Sequence, residues 1–130
     1  MNDRCIKYDE LNDLFEYKHF SVQETIKICN EIIEDSMNEK DMDVLWSMYD
    51  ALSEAACNVK VAEKLDVDKM LTLIGSCELE VAEAIATILG FTGNIKYYDN
   101  IKYIGSIYEG VDTEYALMEL NARVKNHKAS

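Results

Sequence analysis

Histidines, cysteines and closely spaced acids are the side chains of this 130-residue sequence that could do chemistry. His19 and His127 are the only histidines, and neither lies in a pattern with serine, cysteine or aspartate that predicts nucleophilic or general-base catalysis. The D-x-D pairs at 41–43 and 66–68 indicate helix starts, where acidic side chains stabilise free backbone amides. Neither pair fits a calcium loop, and no glycine-rich phosphate loop is present. We therefore expect no enzyme activity, no metal and no cofactor.

The four cysteines are Cys5, Cys29, Cys57 and Cys77, and no two of them form a C-x-x-C pair. This spacing argues against zinc binding and thioredoxin-like chemistry. Cys29 lies on the apolar side of its predicted helix. We expect free thiols that are buried as small hydrophobic side chains.

The charge of the chain is strongly acidic, with 13 basic and 25 acidic residues and a net charge of −12. Nucleic-acid binding requires a positive surface, so we expect no nucleic-acid partner. Two interpretations of the negative charge remain open. The charge serves solubility, or it steers a basic protein partner towards the chain.

Aromatic residues next to acids are the best candidates for such a partner-binding surface. Trp46 lies one helical turn from Asp50, and Tyr103 lies one turn from Asp99. An exposed aromatic ring beside carboxylates suits arginine and lysine side chains. The alternative, that neighbouring helices cover both rings, also remains open.

A second set of candidate residues lies on the helix predicted at 78–93. Glu80, Glu83 and Thr87 align along its outward side, and Asp99 and Tyr103 lie off the apolar stripe of the next helix. If the two helices pack as one unit on the next, the five residues form one continuous patch. The competing interpretation is an ordinary solvated face, which would leave the surface around Trp46 and Asp50 as the site.

The elements that must position these residues are helices. The chain has no proline and only 5 glycines, and its apolar residues recur with helical spacing. We expect one domain over 1–130, with a frayed tail from about 125. No signal-peptide pattern and no apolar run of roughly 18 residues occurs, so we expect a cytoplasmic protein without a membrane partner. The predicted helices are 3–17, 21–35, 43–57, 59–64, 66–74, 78–93, 95–109 and 113–124.

These helices fall into pairs whose second members share a pattern. Leu52, Leu89 and Leu120 stand at equivalent places in the second helices, and short connections make partners antiparallel. Small residues around Leu89 predict that its helix is packed on more than one side. Gly90 marks a place where a neighbouring backbone or aromatic ring approaches closely.

The segment VDKMLTLIGSCELEVAEAIATILGFTGN resembles a HEAT-like repeat, with a helix, a short turn and a helix rich in valine and alanine. The resemblance extends over about Asp66 to Val124 and, more weakly, over Ser21 to Asn58. It implies an all-α fold of antiparallel helix pairs, stacked as a short HEAT-like α-solenoid. An irregular helical bundle built from the same helices is the alternative.

In its size, its acidity and its repeat-like half, the chain resembles the small helical immunity proteins of bacterial toxin systems, including those paired with contact-dependent growth-inhibition toxins. The resemblance implies a protein that neutralises a basic toxin domain, such as a nuclease, by tight binding. Acidic side chains would take the place of substrate phosphates or bind beside the toxin's active site. The alternative function is a HEAT-like adaptor or regulatory subunit in a larger assembly.

Overall fold

The computed structural model describes the backbone of residues 3–129 and the side chains of residues 3–124. Within that part, the chain forms eight α-helices and no strand, which confirms the all-α prediction. The helices are α1 (Asp3–Glu16), α2 (Val22–Ser36), α3 (Met42–Ala56), α4 (Val59–Ala62), α5 (Val67–Met70), α6 (Leu79–Phe91), α7 (Tyr98–Ile107) and α8 (Glu114–Ala129). Short 3-10 turns follow α5 at Leu71–Leu73 and precede α7 at Ile95–Tyr97.

The starts of α2 and α3 are fixed by polar side chains. The Ser21 Oγ accepts a hydrogen bond from the Glu24 amide at 3.1 Å, and the Glu24 Oε1 accepts one from the Ser21 amide at 3.1 Å, so the two residues form a capping box. Asp41 caps α3 in the same manner, because its Oδ1 accepts the Asp43 amide at 2.9 Å. Asp66 precedes α5 as predicted, but its side chain makes no capping hydrogen bond.

A glycine marks the end of α6. Gly93 has a φ of 66° directly after α6, a conformation that glycine adopts without steric cost, and it leads the chain into α7. The last helix continues to Ala129, beyond the predicted end near Val124. The side chain of His127 and the others after Val124 lie outside the described residues.

The helices pack in two layers. One layer, the α3–α6 layer, contains α1, α3, α6 and α8, each in contact with the next. The other, the α2–α7 layer, contains α2, α4, α5 and α7; α2 packs on α3, and α7 packs on α6 and α8. Short connections make consecutive helices antiparallel across the layers, as the helix pairs in the sequence predict.

The position of α1 was not part of the predicted pairing. The Arg4 Nη1 lies 2.6 Å from the Glu39 Oε1, and the Asn12 Nδ2 donates to the Asp50 Oδ2 at 3.1 Å. The earlier residue of α1 contacts a residue just before α3, and the later residue of α1 contacts a residue within α3. The two helices therefore run parallel. The helix therefore adds a member to the α3–α6 layer beside α3.

The core lies between the two layers, and α6 is at its centre. The apolar stripe of α6, formed by Val81, Ile85, Ile88 and Leu89, is buried, and Leu89 has no exposed surface. Leu52 and Leu120, its counterparts in α3 and α8, are also completely buried. A Cβ atom at Gly90 would lie 2.5 Å from the Ala116 carbonyl oxygen, which confirms a close backbone approach of α8 at this glycine.

The cysteines agree only in part with the prediction. All four thiols are free, and Cys29 and Cys77 are buried. Cys57, however, is exposed, because it follows the last turn of α3 where the chain leaves the core. In the described part of the chain, none of the helices combines the length and the apolar composition that a membrane span requires.

Candidate partner-binding surface

The outward side of α3 carries an aromatic ring and two carboxylates. Trp46, Asp50 and Glu54 are spaced four residues apart and therefore share one side of the helix. Trp46 is 43% exposed, so no neighbouring helix covers the indole ring completely. The sequence left open whether a neighbouring helix covers this ring, and the structure shows that the ring is exposed beside an acid.

Helix α1 brings further carboxylates to this side of α3. Burial and the nearby Asp9 raise the pKa of Asp50, whose carboxylate accepts the hydrogen bond from Asn12. Burial, Glu16 and then Asp50 raise the pKa of Glu54. Burial is the larger cause for both carboxyl groups, and the charges of Asp9 and Glu16 on α1 add to it.

The outward side of α6 carries the residues that were predicted from its helical pattern. Glu80 is exposed, whereas Glu83 and Thr87 are half-buried. The Thr87 hydroxyl donates to the Glu83 carbonyl oxygen at 3.1 Å, which satisfies its proton within the helix and leaves the oxygen as an acceptor. This side of α6 therefore presents acceptors and no donor side chain of its own.

The contacts between helices indicate that the exposed sides of α3 and α6 lie on the same side of the molecule. The two helices are neighbours in one layer, and α4 packs on both of them from the other layer. Each helix turns its exposed residues away from the core and hence away from α4. Neither helix contains a lysine, arginine or histidine.

We call this surface the acidic face. It comprises Asp9 and Glu16 of α1, Trp46, Asp50 and Glu54 of α3, and Glu80, Glu83 and Thr87 of α6.

An arginine on α8, at the edge of the acidic face, forms an ion pair with a glutamate of the same helix. The Arg123 Nη2 lies 3.2 Å from the Glu119 Oε2, and the guanidinium lies 4.8 Å from the centre of the Phe91 ring. Arg123 and Glu119 both influence the pKa of Cys57, which follows α3. The charges of Arg123 and Glu119 on α8 therefore influence the end of α3, although α6 lies between the two helices in the layer.

The other two predicted residues lie in the α2–α7 layer. Asp99 and Tyr103 are exposed on α7, and Tyr103 has 55% of its surface free. Ile107, one turn further on, is 42% exposed. The structure thus places Trp46, Asp50 and the three α6 residues in one layer and the α7 residues in the other. Which of these surfaces binds a partner stays a prediction.

Asp9 and Glu16 were not among the predicted site residues. The sequence indicated that acids surround the apolar side of α1, but contained no signal that α1 lies parallel to α3. Only the packing of the two helices brings these carboxylates near Asp50 and Glu54.

Cys57 follows α3 and supplies an exposed thiol close in sequence to the acidic face. Burial raises the pKa of the Cys57 thiol, with Glu54 contributing next, so the thiol is protonated and a poor nucleophile near neutral pH. In the part of the chain with described side chains, no three histidine, cysteine or acidic residues are grouped in a way that could hold a metal ion.

Comparisons with known proteins supply no relative for this chain. No protein-family model matches it, and neither a curated protein nor a solved structure gives a significant match.

Proposed function

We propose that the protein binds a basic protein partner through the acidic face and inhibits it, as an immunity protein neutralises a toxin domain. One observation carries this proposal. Two adjacent helices, α3 and α6, present acidic side chains on the same outer surface, contain no basic residue, and place the exposed Trp46 among these acids.

The electrostatics of the acidic face favour a cationic partner. The carboxylates of Asp50 and Glu54 are disfavoured in their charged form by burial and by neighbouring acids. Arginine or lysine side chains of a partner would relieve this repulsion and form charge-assisted hydrogen bonds with the carboxylates. Trp46 adds a rigid ring that can stack on a guanidinium group.

Inhibition would follow from occupation of the partner's own site. A nuclease domain binds phosphates through basic side chains, and carboxylates in a fixed array offer these side chains an alternative. Binding at or beside such a site would exclude the substrate. The proposed class of partner is therefore a basic toxin domain, and the proposed site of action is the cytoplasm.

A second candidate function is that of a HEAT-like adaptor or regulatory subunit. An adaptor needs two separate surfaces, and α7 supplies a second one with Tyr103 and Ile107 exposed in the other layer. This surface mixes apolar side chains with Asp99 and lacks the dense acids of the acidic face.

Co-expression with the product of the adjacent gene tests the proposal. We expect the two proteins to co-purify, and we expect the chain to restore growth to cells in which the partner alone is toxic. The double variant Asp50→Lys/Glu83→Lys should remain helical by circular dichroism and lose both effects. Co-purification with a non-toxic partner would favour the adaptor instead.

A further inference from the structure

An open groove lies at one end of the acidic face. The groove has a volume of about 730 Å³ and runs between the α1–α2 connection and the segment from the end of α3 into α4. Its size is in the range of pockets that enclose a large side chain or a small ligand.

The walls of the groove are largely apolar. Phe15 and Phe20 pack edge to face, with ring centres 6.0 Å apart, and Val22 and Val59 line the groove with them. Phe20, Val22 and Val59 are each half-buried, so apolar surface remains open to the groove. An apolar group that covered this surface would gain binding energy from its removal from water.

The rim joins the groove to the acidic face. Glu16 and Glu54 belong to both, and Lys18 and Lys60 also line the groove. The rim is therefore balanced in charge, whereas the negative charge continues away from it through Asp50 and Asp9. An uncharged side chain fits the groove, and basic side chains fit the acids beside it.

We propose that the groove holds an apolar side chain of the basic partner, and that a basic residue next to this side chain binds the carboxylates of Asp50 and Asp9. The inference rests on the proposed function, because the occupant is a segment of the same protein partner. One turn of helix separates Glu54 from Asp50, so the basic group would lie about 5.4 Å from the groove. Apolar anchors in pockets dominate the energy of many protein interfaces.

A peptide titration of the unaltered protein, followed by two-dimensional NMR, tests the inference without the natural partner. The probe is a short peptide with one phenylalanine flanked by arginines, and two matched peptides carry serine for phenylalanine or glutamate for arginine. We expect the first peptide to shift the amides of Phe20, Val22 and Val59. The serine peptide should bind at least about tenfold more weakly, as expected for loss of an anchor residue.

Two results of this titration would overturn the inference. Equal binding of the phenylalanine and serine peptides would mean that the groove holds no anchor. If the glutamate peptide shifts the groove amides and binds as tightly as the arginine peptide, the occupant of the groove is not basic. A titration that does not saturate at about 1 mM, the weak limit of specific binding, would count against the groove as well.

A pair of matched variants separates this inference from the proposed function. Val59→Arg places a charged side chain in the groove, and Val111→Arg alters a half-buried valine outside it. We expect Val59→Arg to lower the affinity for the co-purified partner at least about tenfold, and Val111→Arg to leave this affinity unchanged. If Val59→Arg binds the partner with full affinity while Asp50→Lys/Glu83→Lys loses binding, the groove inference alone is overturned. Full affinity in both would overturn the proposed function too.

Discussion

The close approach of α8 to α6 makes a sharp prediction for the variant Gly90→Ala. The added Cβ atom would lie 2.5 Å from the Ala116 carbonyl oxygen and 3.2 Å from the Ala116 Cα atom. These are backbone atoms of α8, so no side-chain rotation can remove the overlap. Ordinary contact distances begin at 3.4 Å, so the two helices must separate by about 0.9 Å at this point.

The expected magnitude follows from two opposing terms. Alanine in place of glycine stabilises a helix interior by about 1 kcal/mol in the absence of other contacts. Forcing an extra carbon into a well-packed core typically costs about 1–3 kcal/mol. Gly90 and its neighbour Leu89 are both buried, and the obstacle is the backbone of another helix, so the steric cost is at the upper end. We expect a net loss of about 1–2 kcal/mol.

Urea denaturation followed by circular dichroism measures this loss. Gly105→Ala is the matched control, because its Cβ atom would lie 2.8 Å from the Thr113 Oγ1, which is a side-chain atom and not part of a backbone. We expect the gain in helix stability to offset the cost of this side-chain contact, so that the control changes the free energy of unfolding by less than about 0.5 kcal/mol. A Gly90→Ala variant that is as stable as the wild type, or more stable, would refute the close packing of α6 on α8.

Three further predictions concern the core, the acidic face and the loop that precedes α6. Leu89→Ala should lower the free energy of unfolding by about 2–5 kcal/mol in chemical denaturation, from lost burial and the cavity left behind; a loss below about 1 kcal/mol would mean that α6 is not central. The pKa of Glu54 is raised in the folded protein, so the folded state holds this proton more tightly than the unfolded state. The stability that Glu54 contributes is therefore present below the ordinary glutamate pKa of 4.5 and is lost as pH rises above it. Glu54→Gln should therefore be more stable than the wild type at pH 7, by about 0.5 kcal/mol, and should lose this advantage below pH 4.5, whereas an advantage independent of pH would contradict the raised pKa. Tyr108→Phe should cost about 1–2 kcal/mol in thermal unfolding, because the hydroxyl accepts the Gly75 amide and donates to the Cys77 carbonyl oxygen, each at 2.8 Å; no change would mean that water replaces both bonds.

The helices and their caps could be predicted from the sequence because local chemistry decides them. Ser21 and Glu24 satisfy each other's backbone amides within one turn, and Gly93 adopts the left-handed conformation that ends α6. The buried stripe of α6 follows from helical periodicity, which needs no knowledge of the partner helices. Leu89 lies on that stripe and is buried.

The arrangement of the acidic face could be predicted only in part, because it depends on contacts between distant segments. The exposure of Trp46 depends on which helices cover α3, and the periodicity of α3 alone left both outcomes open. Asp9 lies beside Asp50 because α1 packs parallel to α3, and no pattern within α1 encodes that partner. Cys57 was expected to be buried from its residue type, but the end of α3 leaves it exposed.

The most direct test of the central claim compares partner binding by two charge-reversal variants on opposite layers. Asp50→Lys/Glu83→Lys alters the acidic face, whereas Asp99→Lys/Glu109→Lys makes the same change in charge on and just after α7. Both should retain the circular dichroism of the wild type. We expect the first variant to lose at least about 2 kcal/mol of affinity for the co-purified partner and the second to lose less than about 0.5 kcal/mol. Equal losses in both variants, or a larger loss in the α7 variant, would contradict binding through the acidic face.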